Sequence, residues 1–142
     1  MPMRRFLPLV ILLLAAFSCR EPRSMEQFIA GEGPFVFSVD FSDTTAVYDL
    51  DLYTRVDAIE MPAEVQLLMR WSSPSDSLYR ETVYLPLRDS SSRFRADVLV
   101  PYRSGVSPYE SGVWKLTVSA PSLPEGFRGL GLVVRKEKDG TR

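Results

Sequence analysis

The chain of 142 residues contains no histidine and a single cysteine. A disulfide needs two cysteines, and common zinc sites are built from several His and Cys ligands, so neither is available within the chain. Without histidine there is no Ser-His-Asp or Cys-His arrangement for nucleophilic catalysis. Charge of one sign is lacking too. Seventeen basic side chains face 18 acidic ones, which excludes a nucleic-acid binder held by bulk charge and a long acidic tail. The 11 prolines and 8 glycines are scattered without a repeat, excluding collagen-like and low-complexity classes. With 45% apolar residues, there is material for one packed domain.

The longest apolar run is Phe6 to Phe17, behind the basic start Met1-Pro2-Met3-Arg4-Arg5. A transmembrane helix needs about 20 such residues, and this run is shorter and contains Pro8. It fits the apolar centre of an export signal, with the arginines holding the start on the cytoplasmic side. The run ends in Ala16-Phe17-Ser18-Cys19. Small residues at 16 and 18 suit ordinary signal peptidase, which would release a soluble protein. The same tetrapeptide resembles a bacterial lipobox, with Ala16 in place of the usual leucine and Cys19 as the lipidated first residue of the mature chain. Cys19 is the only thiol, and a lone reactive thiol is uncommon in an oxidising envelope, so lipidation is the expectation. Cleavage before it leaves 15 of the 17 basic side chains against all 18 acids. Arg20 is not the aspartate that retains some lipoproteins at the inner membrane. An outer-membrane anchor is therefore expected, with the leaflet open.

The expected divisions are a signal peptide over 1–18, the lipidated cysteine and tether over 19–32, a β domain over 33–137 and a tail over 138–142. Phe35, Phe37, Val39 and Phe41 alternate with polar or smaller residues, the period-two pattern of a half-buried strand. Similar alternation runs through Tyr48 to Val56, Val65 to Trp71, Leu78 to Leu87 (with Tyr79, Glu81, Val83 and Leu85 on one side), Phe94 to Val100, Trp114 to Ala120 and Leu130 to Val134. Turn residues separate the runs. About seven short strands predict an all-β antiparallel sandwich, Ig-like or jelly-roll-like, with a small barrel as the alternative.

Candidate chemistry is sparse. Asp49 and Asp51 share a strand face, but strand geometry alone gives them glycosidase-like spacing, so a solvated outer face is expected. Calcium held by Asp40, Asp43, Asp49 and Asp51 is conceivable, although no loop gathers them in ligand spacing. Trp71 and Trp114 fall on apolar strand faces and are expected in the core. Pro101 to Gly112 predicts a loop carrying Tyr102 and Tyr109, the candidate contacts for a partner or ligand. Lys136, Glu137, Lys138 and Asp139 predict a solvated end.

The order of these features resembles the gliding motility lipoproteins of the GldH family. The resemblance lies in the lipobox cysteine and tether, Phe35 to Phe41 leading into Asp43-Thr44-Thr45 and Tyr48, and Leu52 to Arg55. It continues through Val65 to Trp71 with its Ser-Pro turn, Gly112-Val113-Trp114, and Gly129-Leu130-Gly131-Leu132 running into Arg135-Lys136-Glu137. This sequence departs from the family in Asp57 to Pro62 and in the short link Ser90 to Ser92. The resemblance implies an outer-membrane lipoprotein, a non-enzymatic accessory of gliding motility and its associated protein secretion machinery. Its partners would be the membrane and an envelope protein complex, with no cofactor, metal, nucleic acid or small-molecule substrate. A surface-exposed glycan-binding module is the alternative.

Overall fold

The computed structural model describes residues 24–56, 62–87 and 97–138. The leader, Cys19, the segments 57–61 and 88–96, and the last four residues lie outside the described residues, and with them Phe94, Ala96 and Asp139. The elements in chain order are β1 (Ser24–Ala30), β2 (Phe35–Asp40), β3 (Ala46–Val56), β4 (Glu64–Ser72), β5 (Leu78–Pro86), β6 (Asp97–Val106), β7 (Val113–Ser119) and β8 (Phe127–Lys138). They form two four-stranded antiparallel sheets, ordered β1-β8-β3-β6 and β2-β7-β4-β5. Among the described residues no ladder joins one sheet to the other. This all-β arrangement is consistent with a β-sandwich.

Alternation decides which face each strand buries. Along β2, Phe35, Phe37 and Val39 are buried while Val36, Ser38 and Asp40 face out. Strand β4 buries Val65, Leu67, Met69 and Trp71, and β7 buries Trp114, Leu116 and Val118. From the other sheet, Tyr48, Leu50 and Leu52 of β3 meet them with Leu130, Leu132 and Val134 of β8 in one continuous core. Twelve-residue β8 lies between β1 and β3 along its length, which makes it the spine of the first sheet.

Two expectations change here. Strand β1 falls inside 19–32, the stretch read as tether. It pairs with β8 from Ser24↔Arg135 to Ala30↔Gly129. As an edge strand it is only half-buried at Gln27, Phe28 and Ile29, so its sequence carries no clean alternation. Next, β6 continues through Pro101 to Val106, where a loop was expected. Register shifts opposite Tyr48 to Asp51 accommodate its extra residues. Asp49 Oδ1 accepts Gly105 N at 2.9 Å and Ser104 Oγ at 3.1 Å, so a carboxylate takes over where the ladder is interrupted. Tyr79 lies on the side of Leu85 as expected, opposite Trp71, and is 55% exposed because it stands at the outer end of an edge strand.

The outward side of the first sheet is partly closed as well. Gly131 has no side chain because the Tyr53 ring occupies its place: a Cβ there would lie 2.0 Å from Tyr53 Cε1. Phe28 stacks on Tyr53 at 5.6 Å, and the Arg55 guanidinium lies 4.8 Å from the Phe28 ring. The edge strand β1 is thereby held by a side chain as well as by its ladder.

Candidate functional site

Antiparallel pairing brings one set of chain ends together. The start of β1, the connections 41–45, 73–77 and 107–112, and the end of β8 all lie at the same end of the two sheets. This Ser24 end carries the exposed candidate aromatic.

Tyr109 sits in the 107–112 loop with 74% of its surface exposed. Its ring meets Trp114 edge-on at 5.1 Å. Trp114 in turn contacts Phe41 at 5.9 Å, and Phe41 contacts Tyr48 at 4.8 Å and Trp71 at 6.1 Å. The exposed ring therefore caps an aromatic column rooted in the core. Hydrogen bonds fix the loop beneath it. Trp114 Nε1 donates to the Glu110 carbonyl at 3.0 Å, Ser75 Oγ donates to Glu110 Oε2 at 2.7 Å, and Ser111 Oγ donates to the Ser42 carbonyl at 2.7 Å. Phe41 N donates to the Gly112 carbonyl at 2.9 Å. Gly112 holds φ at +137°, and a Cβ there would lie 2.8 Å from Pro74 Cγ, so the 73–77 and 107–112 loops are pressed together. A contact residue on such a base loses little freedom on binding.

Tyr102 plays a different part. It sits on strand β6, half-buried, and accepts a hydrogen bond from Trp71 Nε1 at 3.0 Å. Its own hydroxyl donates to Glu81 Oε1, while Arg103 pairs with Glu81 Oε2. Burial and the Glu81 carboxylate push its phenol well above the usual tyrosine value. The group ties edge strand β6 to edge strand β5 across the sheets. The two tyrosines expected on one loop are thus separated, one bracing the fold and one presented to solvent. Trp71 and Trp114 are buried core residues as expected.

The carboxylates do not converge. Asp49 serves the β6 irregularity. Asp51, expected on a solvated face, is buried under Arg135, with which it forms an ion pair. Asp40 accepts Ser42 N at 2.9 Å and the Ser42 hydroxyl, which together lower its pKa. Asp43 accepts Thr45 Oγ1 at 2.6 Å, Thr45 N at 3.0 Å and Lys136 Nζ at 3.0 Å. The Thr45 and Lys136 bonds hold its carboxyl at about 2. Among the described residues no three potential ligands gather as a metal site.

The sequence reading missed three apolar side chains at this end. Leu78 is 51% exposed and Val113 59%, alongside Tyr79. The signal was present at Val113-Trp114, an apolar pair on one strand of which only one can face the core. Comparison of the chain with protein-family models, curated proteins and solved structures found no significant match.

Proposed function

We propose that the protein is an outer-membrane lipoprotein, anchored through Cys19, that serves as a non-enzymatic accessory or scaffold component of gliding motility and its associated protein secretion machinery. The link to gliding comes from the sequence resemblance. The strand order β1-β8-β3-β6 facing β2-β7-β4-β5 supports a jelly-roll reading of the fold, an architecture of two interlocked Greek keys used widely for binding.

The observation that carries the proposal is the distance along the chain from Cys19 to Ser24, where β1 begins. Four residues, Arg20 to Arg23, separate the thiol-bearing residue from the first strand. At roughly 3.3–3.6 Å per residue, the domain cannot stand further than about 17 Å from its anchor point. The Ser24 end, with Tyr109, Tyr79, Leu78 and Val113, is then the end turned toward the membrane and anything embedded in it. Confinement to this layer raises the effective concentration of a membrane partner, so modest contacts suffice.

The test compares a deletion strain complemented with the native chain or with Cys19→Ala, reading surface spreading, secreted protein and palmitate incorporation. The native chain is expected to take up label and restore both phenotypes, and Cys19→Ala to do neither. Normal spreading and secretion from the unlabelled variant would overturn the anchoring role.

A further inference from the structure

Part of the outward face of the second sheet is a basic patch. Arg70 on β4 stands directly opposite Arg80 on β5, and Thr117 on β7 stands opposite Arg70 on its other side. One pair along, Leu68 is flanked by Ser119 and Thr82. In the other direction Ser72 is flanked by Lys115 and Leu78. These nine positions on three adjacent strands hold three cations and no acid, in a chain whose acids outnumber its bases.

Side chains directly opposite in an antiparallel pair have Cβ atoms about 4.5–5.5 Å apart, and like charges so placed are unfavourable. Elsewhere the molecule neutralises its cations: Arg103 pairs with Glu81, Arg135 with Asp51, and Lys136 with Asp43. Arg70, Arg80 and Lys115 form no ion pair or side-chain hydrogen bond among the described residues. Both arginines line a groove of about 560 Å³ together with Pro34, Leu68, Met69, Glu81, Thr82, Thr117 and Ser119, a volume within the usual range for ligand sites. The Glu81 carboxylate is already engaged by Tyr102 and Arg103.

We propose that this groove binds an acidic saccharide, with its carboxylate or sulfate group seated between Arg70 and Arg80. Guanidinium forks match planar and tetrahedral oxyanions with paired hydrogen bonds, and an anion shared by the two removes their repulsion. Thr82, Thr117 and Ser119 offer donors and acceptors to sugar hydroxyls, and Leu68 offers an apolar patch to a ring face. This hydroxyl-rich lining beside an apolar patch favours a saccharide over a lipid headgroup. The groove opens on the face of the sheet and not on the Ser24 end, its Arg70–Arg80 pair lying two ladder positions from the Ser72–Leu78 pair that closes the strands there. The site itself does not depend on the proposed anchor.

The experiment uses the full chain in nonionic detergent and titrates it with a heparin-derived hexasaccharide, hexagalacturonate, maltohexaose, inorganic phosphate and phosphatidylglycerol vesicles. At least one acidic hexamer is expected to bind tenfold or more tightly than maltohexaose and phosphate, and to weaken as salt rises. Arg70→Ala/Arg80→Ala is expected to lose tenfold or more, and Arg70→Gln/Arg80→Gln serves if the alanine variant unfolds. Equal binding of maltohexaose, silence with every probe, or unchanged affinity in the variants overturns the site. Phosphate bound as tightly as the hexamers, or vesicles bound in preference to them, overturns the saccharide.

Discussion

Thr54 is fully buried, and its Oγ1 is the only buried side-chain polar atom among the described residues without a hydrogen-bond partner. Its neighbours in the alternation, Leu50 and Leu52, are core residues on the same strand. A buried hydroxyl that finds no partner retains its desolvation cost, about 1–3 kcal/mol. Valine has nearly the same shape and the same stiffness about χ1, and it carries no polar atom. Thr54→Val should therefore raise stability by about 1 kcal/mol, read as a higher denaturant midpoint at an unchanged slope. A lower midpoint would mean that the hydroxyl has a partner after all. The residue contrasts with Tyr102, whose hydroxyl is also withdrawn from bulk water but is matched on both sides by Trp71 and Glu81. There the polar atom sets which strands meet, and its removal leaves an indole N–H without its acceptor.

At the scale of strands and turns, legibility followed the regularity of burial. β2, β4 and β7 alternate without interruption, and each was readable because one face meets the core while the other meets water. β1 has half-buried residues in sequence and no alternation, so its sequence resembles a polar linker. β6 hid behind Pro101, Ser104 and Gly105, residues that signal a turn when read locally. Only the partner strand, with Asp49 ready to bond the irregular stretch, shows that the ladder continues there. That same error placed Tyr102 with Tyr109, whereas the core positions of Trp71 and Trp114 were legible from alternation alone. The turn from β2 to β3 was also legible, and it makes a testable tie. Asp43 in that turn bonds Thr45 beneath it and Lys136 on β8. Its carboxyl is held at about 2, down from 3.8. The folded state thus binds fewer protons than the unfolded chain between these values. The contribution is complete above about pH 4 and is lost as the pH falls through 2. Asp43→Asn should flatten the decline of melting temperature across that interval, with Asp40 supplying part of the slope that remains. Superimposable curves for the two proteins would show that the tie contributes nothing to folding.

For the whole molecule, orientation is the property on which the proposed function turns. The connections 41–45, 73–77 and 107–112, the start of β1 and the end of β8 lie at one end. The outward face of the second sheet, with Arg70 and Arg80, stands at right angles to that end. A short anchor would then present two surfaces at once: an apolar and aromatic end toward the membrane, and a basic groove open to the side. The proposed arrangement depends on the brevity of Arg20 to Arg23. Inserting 20 Gly/Ser residues between Arg23 and Ser24 would keep the lipid but lengthen the link to 24 residues. A flexible chain of that length has a root-mean-square span of about 27 Å. The domain would then wander well above its former layer, and its effective concentration at a membrane partner would fall steeply with the added reach. The inserted variant is expected to take up palmitate normally, yet to crosslink less to membrane-embedded neighbours and to restore spreading and secretion only in part. Cys19→Ala should fall below it in both assays. If the lengthened protein crosslinks and functions like the native chain, lipid attachment matters only for retention in the envelope, and the Ser24 end has no role in contact.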